Sequence, residues 1–350
     1  HFSSRQAGRP SSPMRPSAAM ASAAPHRGAA LLPLGACGAD DFHPARHAYE
    51  TPPPLRVHAA QGGGGVALER FPVAYGGYEY EGWIAYRRGA PPRPQVLVIP
   101  NYAGLKQFDK DQAVFLAQVG FVGIAVDIYK EVERYTKADR SPPLHCSRAD
   151  AAAHMEHAMK FVDHFMTNPG VFRAMLGAYL EHGRRHPAVD ASRAAAIGYC
   201  FGGTAVLEMV RGGLAVDCVV SFHGVLQATP SRRDMKVNTC KNAHNSRCVV
   251  LIENGDLDHF VTPRSLAKFK QEFDAAGVAW RFHNHARTPH GFALAPGCFN
   301  NQYAETADRR STLSMLSLFA EVFPEVQQQP VAVNACGTRL GQAVLPLARL

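Results

Sequence analysis

The chain has 350 residues, 46% of them hydrophobic and 19% charged, with 25 prolines, 30 glycines and a net charge of +8. That is enough for one large or two ordinary domains with a substantial core; it excludes a wholly disordered chain, and no repeat of about 20 to 50 residues marks a solenoid. Uncharged apolar runs such as Gln95 to Pro100 fall far short of the roughly 18 residues of a membrane span, and no Lys/Arg run denser than Arg184-Arg185 or Arg232-Arg233 marks a nucleic-acid patch, so neither membrane nor nucleic acid is an expected partner.

Residues 1–65 are rich in Ala, Ser, Pro, Arg and Gly, with six arginines against Asp40, Asp41 and Glu50; the remainder carries 31 basic and 26 acidic residues. Such a segment buries too little apolar surface to offset its ordering entropy, so a disordered leader is expected. Low acidity with Ser and Arg fits an organelle transit peptide, and a low-complexity leader fits as well, with Met14 and Met20 as alternative starts. The eight cysteines (Cys37, Cys146, Cys200, Cys218, Cys240, Cys248, Cys298 and Cys336) are scattered without a C-x-x-C pair. That spacing reads as a reduced intracellular protein, cytoplasmic or organellar, rather than a disulfide framework.

From residue 66 the chain alternates. The only hairpin signal lies near Tyr75-Gly76-Gly77. Gln95–Pro100 reads as a buried strand, Asp109–Val119 as a helix and Val122–Tyr129 as a strand. The long insertion Glu131–Val189 holds two helical patterns, Ala149–Met166 and Val171–His182, and is expected to cap a pocket. Then follow strand Arg193–Tyr199, helix Gly203–Val210, strand Asp217–His223, strand Arg247–Glu253, helix Pro263–Ala276, strand Val278–His285 and helix Glu305–Phe323. Apolar runs alternating with amphipathic helices predict one α/β domain over residues 66–326, a mostly parallel sheet with helices on both faces, and a tail over 327–350.

In such a sheet ligands bind beyond the carboxyl ends of the strands, which directs attention to the residue after each strand. After Arg193–Tyr199 comes Gly198-Tyr199-Cys200-Phe201-Gly202-Gly203, a G-x-nucleophile-x-G elbow with cysteine at its centre. A sharp strand-to-helix turn strains its central residue and aims the side chain over a helix N-terminus, which favours a thiolate. A buried structural cysteine beside a glycine-rich turn is the plainer reading. The later loops add an acid, Asp256 or Asp258 in Asn254-Gly255-Asp256-Leu257-Asp258-His259, and a base, His290 in Thr288-Pro289-His290-Gly291. Nucleophile, acid, histidine is the chain order of α/β-hydrolase triads. The same geometry assigns the oxyanion hole to the backbone N–H groups of Phe201 and, after the first core strand, Tyr102.

Gly-Tyr-Cys-Phe-Gly-Gly at 198–203, Asp-His-Phe-Val at 258–261 and His-Gly-Phe at 290–292 together resemble the dienelactone hydrolase family, over roughly residues 66–325. Pro100-Asn101-Tyr102-Ala103-Gly104-Leu105 and Val126-Asp127-Ile128-Tyr129 resemble that family's first two core strands. The resemblance implies the α/β-hydrolase fold, selects Asp258 as the acid, and implies hydrolysis of a lactone or ester through an acyl-thioester without metal or organic cofactor. Two positions depart from it. Asn101 stands where the family often has Glu, and Ala293-Leu294 follow His290 where some members place an arginine for the substrate carboxylate.

Other groupings are weaker. His283 and His285 share one side of a strand and His154 with His157 one helix face, but a metal would need a third ligand. His223, ending its strand, is assigned to the pocket beside Asn101, with packing as the alternative. Gly62–Gly65 lacks the Lys and Ser/Thr of a phosphate loop. The expected activity is a cysteine hydrolase of a small ester or lactone, monomeric or homodimeric. A general carboxylesterase or thioesterase, and a non-catalytic ligand-binding relative for which Asn101 argues, are the other readings.

Overall fold

The computed structural model describes residues 65–129, 148–227, 236–238, 240–294 and 302–326, with the side chains of 148–155 and 157 excepted. The expected leader up to residue 64, the tail from 327, the start of the insertion and the paired His154 and His157 side chains lie outside the described residues.

Ten strands and six helices follow one another among these residues. Strands β1 (Val66–Arg70), β2 (Val73–Tyr75), β3 (Tyr78–Tyr80) and β4 (Gly82–Arg87) open the domain, then β5 (Arg93–Ile99), α1 (Gln107–Gln118) and β6 (Val122–Val126). Helices α2 (Arg148–Thr167) and α3 (Pro169–Arg184) lead to β7 (Val189–Tyr199), α4 (Phe201–Arg211) and β8 (Cys218–Phe222). The chain continues with β9 (Val249–Gly255), α5 (Pro263–Ala275), β10 (Ala279–His285) and α6 (Glu305–Val322). The main sheet has the order β1-β4-β6-β5-β7-β8-β9-β10. From β6 to β10 every neighbour pair is parallel, whereas β1 with β4 and β4 with β6 are antiparallel.

The period-two alternation of the strands separates two cores. Leu97, Ile99, Ile124, Ala196 and Val219 face a layer containing α3, α4 and α5. Val96, Val98, Ala125, Ile197 and Val220 face α1 and α6 on the other side. Helix α4 is buried along its whole length, and its two charged residues are consequently paired. Glu208 accepts from Arg173 of α3 at 3.0 and 2.7 Å and from Arg211 at 3.0 Å, while Arg211 reaches Glu272 of α5 at 2.9 and 2.8 Å. These bonds fix how three helices lie on one sheet face. Helix α5 begins with Thr262, whose hydroxyl accepts the Ser265 N–H at 3.1 Å, followed by Pro263 at the first helical position.

Among the boundaries that differ from expectation, two stand out. Strand β6 stops at Val126 because the Asp127 carboxylate accepts the Tyr129 N–H at 2.9 Å and turns the chain. Strand β7 begins at Val189, with an irregular register beside Pro94. The β1 and β4 strands escaped notice because their burial is mixed and β1 lies at the sheet edge. No described helix is long and apolar enough to cross a membrane.

Two carboxyls packed around Tyr199 carry a pH signature. Burial pushes Asp109 up to about 7 against its bonds at Lys106, and pushes Asp308 up to about 7 against its bond with Tyr303. The folded chain therefore holds these protons more tightly than the unfolded chain, and their stabilisation, complete below about pH 4, is lost as pH rises to about 7. Asp109→Asn retains an acceptor for the Lys106 N–H, bonded at 2.8 Å, and removes the titration. Urea unfolding of this variant between pH 5 and 8 is expected to show a smaller loss of stability than wild type.

Candidate active site

A sharp turn follows β7. Cys200 has φ 54° and ψ −110°, a left-handed backbone that only glycine adopts freely. The surrounding glycines show why the chain accepts it. A Cβ on Gly198 would lie 2.0 Å from the Gly202 carbonyl oxygen, and one on Gly202 would lie 2.1 Å from that of Ile99. Neither contact can be relieved by rotating a side chain. Helix α4 starts directly at Phe201, so Cys200 stands at its N-terminus and the Phe201 N–H has no intrahelical partner.

The other two residues arrive from the next loops. Asp258 Oδ2 lies 2.7 Å from His290 Nδ1, and His290 Nε2 lies 3.1 Å from Cys200 Sγ. The second Asp258 oxygen accepts the Phe260 N–H at 2.9 Å. Main-chain bonds set this spacing: Asp256 N–H to His285 O and Leu257 N–H to Thr288 O, both 2.9 Å. A Cβ on Gly255 would meet the Thr288 carbonyl oxygen at 2.3 Å, so the two loops touch backbone to backbone. Asp258 and His290 are buried, and Cys200 is partly exposed. Asp256, by contrast, is exposed and accepts from Asn284 at 2.7 Å.

Burial alone would lower His290, but the charge of Cys200, hydrogen bonds to Asp258 and Cys200 and the Asp258 charge outweigh it and raise the imidazole to about 10. Tyr129 is pushed well up by burial, then by the charges of Cys200 and Asp127. Its ring runs nearly parallel to that of Phe201, with centroids 6.3 Å apart, and Phe260 meets His290 edge to face at 4.8 Å. Neither aromatic had been singled out for the site from sequence. Their positions, one just past β6 and one two residues after Asp258, are the signal that identifies them.

Asn101 and Tyr102 lie in the turn after β5. Asn101 Oδ1 accepts the Ala103 N–H at 2.7 Å and its carbonyl accepts the Gly104 N–H at 3.0 Å, which holds Tyr102 at the crown of the turn. His223 is fully buried behind the elbow, its Nδ1 3.1 Å from the Cys200 N–H. His283 and His285 grasp the buried Glu253 carboxylate at 2.8 and 2.7 Å. Among the described residues no three His, Cys, Asp or Glu side chains converge as metal ligands.

A parallel sheet with antiparallel strands at one edge and a sharp strand-to-helix elbow after a central strand is the architecture of an α/β-hydrolase. The pattern of the dienelactone hydrolase family matches residues 81–323, and the chain belongs to that family. Two relatives are a probable 2-oxo-3-(5-oxofuran-2-ylidene)propanoate lactonase of Bradyrhizobium sp., 27% identical over 59% of this chain and 81% of that one, and a carboxymethylenebutenolidase of Pseudomonas sp. (strain P51), 28% identical over 64% and 84%. Similar solved structures include P91, a dienelactone hydrolase-like promiscuous phosphotriesterase from metagenomic libraries, at TM-score 0.58 and 25% identity over 73% of this chain and 98% of that one. A second, m3DLH, has TM-score 0.60 and 25% identity over 74% and 99%. The protein is thus a hydrolase of the lactone- and ester-cleaving kind, acting on small substrates.

The elbow yields a direct test. Gly202→Ala sets a Cβ against the Ile99 and Pro100 carbonyl oxygens, at 2.1 and 2.7 Å. The variant is expected either not to accumulate as folded protein or to melt several degrees lower, with esterase activity lost.

Proposed function

We propose that the chain hydrolyses a lactone or small ester by covalent catalysis, with Cys200 as nucleophile, His290 as general base and acid, and Asp258 as the group that orients the imidazole. The observation that carries this reading is the unbroken run Asp258 Oδ2–His290 Nδ1 at 2.7 Å and His290 Nε2–Cys200 Sγ at 3.1 Å, all on loops at one end of the sheet. Asp258 rather than Asp256 is the acid, because only Asp258 meets the ring.

In the reacting pair His290 Nε2 has drawn the thiol proton of Cys200, which gives a thiolate beside an imidazolium. The sulfur attacks the substrate carbonyl carbon. Charge gathers on the carbonyl oxygen, facing the N–H groups of Phe201 and Tyr102, each such donor contributing about 3 kcal/mol to transition-state stabilisation. The tetrahedral intermediate collapses with cleavage of the C–O bond, and the departing alkoxide takes the proton from His290 Nε2. For a lactone the leaving alcohol stays on the acyl chain. Transfer of that proton leaves His290 neutral in the acyl-enzyme. That is the form needed to take a proton from water and hydrolyse the thioester. The same residue thereby serves both half-reactions.

Kinetics on a small panel of lactones and p-nitrophenyl esters test this. Cys200→Ala is expected to lose turnover altogether, and wild type to be inactivated by iodoacetamide with protection by a small lactone. Asp258→Asn keeps the acceptor that Phe260 uses but presents an amide nitrogen to His290, so kcat is expected to fall by about 10³ to 10⁴. Asp256→Asn is expected to stay within about twofold of wild type, as for an exposed side chain away from the reacting groups. Wild-type rates in Cys200→Ala would end the thioester reading.

A further inference from the structure

We propose that His223 is a positioning residue for the nucleophile: its Nδ1 accepts the Cys200 N–H and holds the backbone from which the sulfur points at His290. The Cys200 N–H is shared between the Phe222 carbonyl, at 3.0 Å, and His223 Nδ1, at 3.1 Å. Because Nδ1 accepts, the ring proton of neutral His223 resides on Nε2.

Three observations separate this role from packing. First, His223 Nε2 is buried without a hydrogen-bond partner among the described residues. A phenyl ring would fill the same space with no unsatisfied donor, so volume alone does not explain a histidine here. Second, His223 itself has φ 40°, and three non-glycine residues with positive φ occur among the described residues: Cys200, His223 and Arg287. Two of them are therefore hydrogen-bonded to each other, so one strained turn braces another. Third, the brace is anchored at both ends. The His223 N–H donates to the Glu253 carbonyl at 2.8 Å, and a Cβ on Gly224 would meet Gly203 of α4 at 2.6 Å. The ring meets His290 edge to face at 5.2 Å, and burial, then the charge of His290, pushes His223 well below the usual histidine range. It thus stays a neutral acceptor beside the cationic His290.

The consequence for turnover rests on Cys200 being the nucleophile; the geometric claim is tested separately. Two variants make the comparison. His223→Leu deletes the acceptor, whereas His223→Asn sets an amide oxygen where Nδ1 stood and tolerates the left-handed backbone. Iodoacetamide labelling of Cys200 is followed at pH 7 by peptide mass spectrometry, alongside kcat and KM for a p-nitrophenyl ester. In His223→Leu the labelling rate and kcat are expected to fall about tenfold, as for loss of one hydrogen bond, with KM within about twofold; His223→Asn is expected to recover both rates to within about threefold. If His223→Leu does not fold, His223→Gly, unstrained at this φ, replaces it under the same criteria. Wild-type labelling in the Leu or Gly variant, or an Asn variant as slow as they are, overturns the proposal. Hydrolysis surviving in Cys200→Ala would instead overturn the thioester reading and leave the labelling comparison intact.

Discussion

Backbone-to-backbone contact at the centre of the sheet is the constraint on which the remaining geometry depends. The elbow closes because Gly202 packs on the Ile99 carbonyl and Gly198 on the Gly202 carbonyl, at separations that no Cβ survives. This closure forces φ 54° on Cys200, brings α4 directly out of β7 and leaves the thiol at the helix N-terminus. A helix so tightly docked is buried on every side, and its polar residues must then find partners within the fold. Glu208 and Arg211 do so through α3 and α5, so the strain at one residue is carried by the packing of three helices.

The chemistry of the site comes from competition between burial and charge on one imidazole. Burial opposes protonation of His290, and a thiolate on one side with a carboxylate on the other reverses the balance. In the proposed cycle Asp258 keeps its place beside the ring, whereas the sulfur's charge is lost on acylation and regained on hydrolysis. His223 shows the same competition with the opposite outcome: among the described residues no carboxylate bonds its ring nitrogens and it lies against His290, so burial wins and the ring remains neutral.

The sequence carried most of the fold because six parallel strands and the intervening helices differ in period, length and punctuation. Buried runs such as Gln95–Ile99 and capped helices such as Pro263–Ala275 are strong signals. The early antiparallel strands were less legible: short, partly exposed strands obey a weaker pattern, and only the Gly76-Gly77 turn marked one hairpin. At the candidate site, position after a strand singles out Cys200 and His290, which lie 3.1 Å apart. Asp256 and Asp258 are two residues apart, share side-chain chemistry and both follow β9, so residue type alone left them level and the family resemblance favoured Asp258; in the structure Asp258 meets His290 while Asp256 accepts from Asn284. His223 was visible as a strand-end histidine, but its acceptor role depends on φ 40°, which residue identity does not encode.

One local device recurs where the strands meet the site. Asn101 after β5, Asp127 after β6 and Asp258 after β9 each accept the N–H two residues on, at 2.7, 2.9 and 2.9 Å, and so bend the chain away from the sheet. The turn uses one side-chain oxygen. An asparagine has then spent its only acceptor, whereas an aspartate keeps a second oxygen for other work. That difference accounts for the contrast between two ends of the same site. At Asn101 the side-chain carbonyl is engaged in shaping the turn around Tyr102. At Asp258 the turn takes Oδ1 and Oδ2 remains for His290. The preference for a carboxylate at 258 thus follows from acceptor count as well as charge: this position must close a turn and hold a ring at once.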